Sequence, residues 1–105
     1  MSPLDPTNFL PLEGEIDLHV ATRLEGSLAR IIKKRPDQVV VDLSGVTFID
    51  SSGLAVLIRA MQSVQEYGGQ FTLSGMNEQV RPIFETARLD QFFLIDPEDE
   101  TLLTD

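Results

Sequence analysis

The fold of this chain is decided by residues 39–63, VVVDLSGVTFIDSSGLAVLIRAMQS. The stretch opens on an apolar run, Val39-Val40-Val41 and then Leu43. It closes on Leu54, Leu57, Ile58 and Met61, which recur at spacings of three and four. The first run has the composition of a strand buried on both faces, and the second traces one face of a helix. Between them Ser44 to Gly53 forms a short polar connection containing Asp50-Ser51-Ser52-Gly53. The expectation is strand, loop and helix, with one carboxylate and two hydroxyls at the mouth of the helix.

The same alternation extends in both directions. Upstream, Phe9 to Ile16 reads as a strand with Leu10, Leu12 and Ile16 on one side and Gly14 as a gap in that row. Pro11 lacks an amide donor, which places this strand at a sheet edge. Asp17 to Arg35 reads as a turn and a helix, with Val20, Leu24, Leu28, Ile31 and Ile32 on one face. Lys33, Lys34 and Arg35 fall in its last turn, where cations favour the negative end of the helix dipole, and Pro36 ends it. Gly26 in mid-helix, unfavourable by about 1 kcal/mol relative to Ala, implies close packing against a neighbour.

The strand at the centre spans Gln38 to Leu43. The helix after it runs from Ser52 to Tyr67, and Gly68-Gly69 supplies a left-handed stop. Downstream, Phe71 to Leu73 is a third strand. Asn77 caps a helix that turns Val80, Ile83, Phe84 and Ala87 inward, with Pro82 making its first turn irregular. Phe92 to Ile95 is a last strand, followed by a helix start at Asp96-Pro97-Glu98-Asp99-Glu100. The class expected is α/β: a single mixed, mostly parallel sheet of about four strands with about four helices. Residues 1–105 make one domain, with 1–8 a loose lead-in and 96–105 a short acidic tail or helix.

Charge narrows the partners. Net charge is −9, and residues 89–105 hold Asp90, Asp96, Glu98, Asp99, Glu100 and Asp105 with no Lys or Arg. Phosphate-rich partners need clusters of cations, so nucleic acid and anionic membrane are not expected partners. No apolar run approaches the ~20 residues of a membrane span, and MSPLDPTNF has no basic leader region. With no cysteine there is neither a disulfide framework nor a thiolate site, which fits a cytoplasmic location.

The chemistry available at the polar mouth is limited. A nucleophile elbow needs G-x-S-x-G, whereas the window here is Ile49-Asp50-Ser51-Ser52-Gly53. The one imidazole, His19, stands near the start of the first helix. A phosphate loop needs a lysine after its second glycine, and none follows Gly53. One His and scattered carboxylates match no metal-ligand spacing, so neither a metal nor a cofactor is expected. Two readings stay open. Asp50, Ser51 and Ser52 are the residue types of a helix N-cap. Alternatively, two hydroxyls beside a carboxylate, with Gly53 leaving the approach unobstructed, form a modification site.

Val39 to Leu54, VVVDLSGVTFIDSSGL, resembles the signature of STAS domains, specifically the bacterial anti-sigma factor antagonists. Leu12-Glu13-Gly14-Glu15-Ile16-Asp17 resembles the family's L-x-G-E-L-D. Tyr67-Gly68-Gly69 and Leu89-Asp90-Gln91-Phe92-Phe93 also fit, so the resemblance covers residues 9–95. Three features depart from it: only about a dozen residues precede the first motif, Arg88 replaces a glycine or small residue, and Pro82 stands where a helix former is usual.

The resemblance implies a protein-binding switch rather than an enzyme. Ser51, in preference to Ser52, is the implied phosphorylation site. The implied partners are an anti-sigma factor serine kinase, which binds the unphosphorylated form and then releases its sigma factor, and a PP2C-type phosphatase. Asp17, Asp50, Ser51, Ser52 and Gly53 form the implied docking surface, and a homodimer through the exposed sheet edge is a further option. Standalone STAS domains are also similar to accessory subunits of lipid-transport ATP-binding-cassette systems, which gives the alternative function.

Overall fold

The computed structural model describes residues 9–96. In chain order these form β1 (Phe9–Ile16), α1 (Leu18–Lys33), β2 (Gln38–Ile49), α2 (Ser51–Glu66), β3 (Gln70–Ser74), α3 (Arg81–Thr86) and β4 (Leu94–Ile95). The strands lie in the order β1-β2-β3-β4, and every neighbouring pair is parallel. The expected α/β class with one four-stranded sheet is what the chain forms. Among the described residues the sheet is wholly parallel rather than mixed, and there are three helices rather than about four. The lead-in 1–8 and the helix start at Pro97 lie outside the described residues.

The core lies on one face of the sheet. Val39, Val41 and Leu43 of β2 are fully buried, as are Leu28 of α1, Leu57 and Val64 of α2, and Phe84 of α3, all in a single cluster. Phe93 joins α3 to the sheet: its ring lies 5.9 Å from Phe84 and 6.2 Å from Phe71, the register partner of Val39. The opposite face carries the row Phe9, Val40, Thr72 and Leu94, one residue from each strand, and both ends of that row are exposed. The expectation that β2 is buried on both faces is therefore corrected, because Val40 and Asp42 are only half-buried.

The largest departure from the sequence reading is the length of β2. It continues through the segment read as a polar connection and ends only at Ile49. Buried positions along it fall at 39, 41 and 43, then 46 and 49, so a spacing of two gives way to a spacing of three. Register shifts against β1, between Pro11 and Glu13 and again between Gly14 and Glu15, each add one residue to β2. Extra residues of this kind break the alternation by which a strand is recognised. Gly14, with φ of 77°, sits at the second shift in a conformation that glycine tolerates readily.

Beyond Asp42 the strand loses β3 as a partner. Asn77 takes over there, its Nδ2 donating to the carbonyls of Leu43 (3.1 Å), Ser44 (3.3 Å) and Val46 (2.8 Å). Its Oδ1 accepts from the amides of Gln79 and Val80. Asn77 thus caps a turn rather than the helix, which begins at Arg81 and puts Pro82 in its first turn, where a missing amide is harmless.

Smaller corrections follow from the side chains. β4 is confined to Leu94–Ile95, with Phe92 and Phe93 in the turn before it. Gly26 is not closely packed: a methyl group there would meet only Arg30 Nη1, at 3.8 Å. Arg35 lies past the end of α1 with φ of 51°, and its guanidinium sits 5.7 Å from the centre of the Tyr67 ring. The Gly68 stop is present at φ of 87°, with Gly68 N donating to Gln65 O and Gly69 N to Val64 O.

Candidate functional site

Because β2 runs to Ile49, its end is level with the end of β1: Ile16 pairs with Ile49, and Asp50 N donates to Ile16 O at 3.1 Å. Asp17 and Asp50 follow directly and start two helices side by side. Their backbones are nearly the same, φ −93° and ψ −175° at Asp17 against φ −96° and ψ −176° at Asp50. Asp17 Oδ1 accepts from Val20 N at 3.0 Å. Asp50 Oδ1 accepts from Ser52 N at 2.9 Å and Gly53 N at 3.1 Å. Each carboxylate satisfies amides that a helix start leaves without partners, and each places negative charge at the positive end of the dipole.

These bonds separate the two readings of the polar mouth. The cap is Asp50 alone. Ser51 is the first helical residue, exposed, and no other described residue hydrogen-bonds its hydroxyl. Ser52 is half-buried and contributes its amide to the cap, not its hydroxyl. At the neighbouring start Asp17 caps through Val20 N with Leu18 and His19 in the equivalent places, so an aspartate cap does not need serine. Two hydroxyls are therefore surplus to the local fold.

Gly53 has a different role from the one expected. It is buried, and a β-carbon there would lie 2.7 Å from Ile49 Cγ1 and 2.8 Å from Ile16 Cγ2. Glycine lets the first turn of α2 press onto the ends of β1 and β2. The other four implied residues, Asp17, Asp50, Ser51 and Ser52, gather at this end of the sheet. Ligands of open parallel sheets also bind at the carboxyl ends of the strands.

His19 is exposed in the first turn of α1, and no described hydrogen bond joins it to Ser51 or Ser52. No three His, Cys, Asp or Glu side chains cluster as metal ligands among the described residues. No described helix is long and apolar enough to cross a membrane.

Residues 4–102 match the STAS domain family. The chain belongs to that family. Among its relatives, the anti-sigma F factor antagonist of Paenibacillus polymyxa is 25% identical over 95 residues, which is 90% of this chain and 81% of that protein. The anti-sigma-B factor antagonist of Listeria monocytogenes is 28% identical over 82 residues, 78% of this chain and 72% of that protein. Among solved structures, an anti-sigma factor antagonist from Mycobacterium paratuberculosis superposes with a TM-score of 0.77 at 28% identity, covering 91% of this chain and 81% of that one. SpoIIAA in its unphosphorylated form shares the fold, with a TM-score of 0.66 at 20% identity over 90% of this chain and 84% of that one.

Two side chains of this STAS domain escaped the sequence reading. Leu18, 66% exposed, follows the Asp17 cap, and Phe48, 46% exposed, lies on the part of β2 read as a connection. The available signal for Leu18 was its position off the apolar face of α1. Phe48 became legible only once the bulged strand was known. Leu18 and Ser52 line the same groove between α1 and α2, which the Arg59–Glu25 ion pair, at 2.9 Å, also lines.

Proposed function

We propose that this STAS domain is an anti-sigma factor antagonist switched by phosphorylation at Ser51. The observation that carries the reading is the surplus hydroxyl: Asp50 completes the cap without Ser51, which stands exposed on the first turn of α2. The relatives named as anti-sigma factor antagonists supply the function, and the proposal extends it to this chain. The domain acts by binding and performs no catalysis itself. In its unphosphorylated form it binds a serine kinase that is also the anti-sigma factor, and the sigma factor is released.

The chemistry at Ser51 is simple. Its hydroxyl oxygen attacks the γ-phosphorus of ATP held by the kinase, the bond to ADP breaks, and the hydroxyl proton passes to a base of the kinase. The product adds about two negative charges next to Asp50 and facing the nucleotide that donated the phosphate. Like charges then oppose renewed docking, although the helix N-terminus itself tolerates the phosphate. A PP2C-type phosphatase resets the switch by hydrolysing phosphoserine to serine and inorganic phosphate. The proposed setting is the cytoplasm, and a homodimer would form by pairing β1 edges.

The test is incubation with the anti-sigma factor serine kinase of the source organism and ATP, followed by mapping of the phosphate by mass spectrometry. One phosphate on Ser51, lost in Ser51→Ala, is expected. No transfer, or transfer unchanged in Ser51→Ala, would overturn the proposal. A transport ATPase as principal partner, with Ser51→Ala binding it normally, would favour the accessory-subunit alternative.

A further inference from the structure

The end of the sheet that presents Ser51 also presents two large apolar side chains that the core leaves out. Phe48 precedes buried Ile49 on β2 and pairs with Glu15, so strand alternation turns its ring to the side away from the helices. Leu18 takes the other side, where it lines the α1–α2 groove next to Ser52. Both belong to the end of the sheet at which Asp17 and Asp50 start the two helices. The buried apolar side chains belong to one cluster, and of the five large apolar side chains exposed among the described residues, Phe9, Leu18, Phe48, Phe92 and Leu94, the 66% exposed Leu18 and the 46% exposed Phe48 lie at this end. Glu15, the register partner of Phe48, and Asp17, which precedes Leu18, are both exposed, and neither forms an ion pair among the described residues.

Interfaces draw most of their affinity from a few apolar anchors, while unpaired charge at the rim sets encounter rate and orientation. We propose that Leu18 and Phe48 are the anchors by which this domain grips its serine-kinase partner, and that Glu15 and Asp17 meet cations on that partner's rim. The partner's face then has two apolar sockets about a centre that brings ATP to Ser51, with Lys or Arg opposite the end of β1. The inference rests on the phosphorylation reading above and adds the chemistry of the surface that recognises it. It also divides the labour at the site: the anchors hold the kinase whatever the state of Ser51, and the phosphate opposes them.

The experiment measures, by calorimetry, binding of the full chain to the kinase that phosphorylates Ser51. Leu18→Ser and Phe48→Thr should each weaken binding at least tenfold, with Leu18→Gln and Phe48→Lys as second variants where folding is impaired. Leu94→Ser, at a residue 50% exposed near the other end of the sheet, should stay within twofold of the parent. Glu15→Lys should slow association and flatten its dependence on salt. At saturating kinase the anchor variants should still be phosphorylated on Ser51 at the parental kcat, with KM raised. Anchor variants that bind within twofold of the parent, or Leu94→Ser weakening binding as much as they do, would overturn the inference and leave the phosphorylation reading standing. Absence of phosphate on the parent protein would overturn both.

Discussion

The starts of α1 and α2 are two solutions to one problem, placed side by side. Each follows a strand that ends in a buried isoleucine, Ile16 or Ile49, and each is capped by an aspartate in the same extended conformation. They differ in what comes next. After Asp17 the chain reads Leu18-His19-Val20; after Asp50 it reads Ser51-Ser52-Gly53. The first start acts as an internal control for the second, since the aspartate cap that the two share is a structural device. Of what differs, Gly53 is accounted for by packing and the serines are not. The comparison therefore isolates Ser51 and Ser52 as residues whose identity the fold does not require.

The strongest way to break this comparison is at its packed position. Gly53→Ala drives a methyl group against Ile49 and Ile16 and should cost about 2–3 kcal/mol by overpacking, read as a lowered midpoint in urea. Val20, three residues after its own cap, is only half-buried, so Val20→Ala should cost less than Gly53→Ala. The caps come next. Asp50→Ala leaves two amides without their acceptor and should lose about 1–2 kcal/mol; Asp17→Ala leaves one and should lose about 1 kcal/mol. Equal losses from both would mean that the second bond at Asp50 contributes nothing. Ser51→Ala should change stability by less than about 0.5 kcal/mol, as expected of a surface position outside the cap. A larger loss would return Ser51 to a structural role.

The helix ends allow a similar, weaker contrast. α2 and α3 both stop through a residue in the left-handed region, but α2 uses Gly68 and α3 uses Arg88, at φ of 61°. Arg88 N donates to Glu85 O and Leu89 N to Phe84 O, the same pair of bonds that ends α2. An arginine in this conformation is strained by about 1–2 kcal/mol, partly offset by glycine's greater entropy when unfolded. Arg88→Gly should therefore stabilise the domain by about 0.5–1 kcal/mol, measured in the same urea titration.

The smallest effect concerns Tyr67 at the end of α2. Its hydroxyl donates to Pro36 O at 2.8 Å. Burial raises its pKa above the ordinary 10.0, the Asp37 carboxylate adds to the rise, and the Arg35 guanidinium opposes it. The folded value exceeds the unfolded one, so this contribution to stability is complete below about pH 10 and is lost as pH climbs through the folded value. Tyr67 is the sole tyrosine and there is no tryptophan, so absorbance near 295 nm reports its ionisation without interference. A midpoint above 10 is expected; Arg35→Ala should move it higher still.

The family and the order of elements were legible in the sequence because they depend on local signals. Apolar spacing marked α1 and α2, Pro36 and Gly68 marked their ends, and the DSSGL motif marked the junction. The second half of β2 was not legible, because its two added residues shift the inward positions from Leu43 to Val46 and then to Ile49, which no period of two produces. The packing role of Gly53 was hidden for a related reason: its neighbours Ile16 and Ile49 come together through that bulged pairing. Arg88 shows the reverse. Sequence marked it as a departure from a small-residue position, and the backbone supplies the cause, a left-handed turn that the arginine occupies at a cost in strain.

The central claim is that Ser51 serves the switch and not the fold. Its most direct test is the affinity of the partner kinase for Ser51→Asp relative to Ser51→Ala, measured on variants of equal stability. The account predicts that Ser51→Ala binds as tightly as the unphosphorylated parent and Ser51→Asp at least tenfold more weakly, because added negative charge faces the kinase's nucleotide. Equal affinity for the two variants would contradict it.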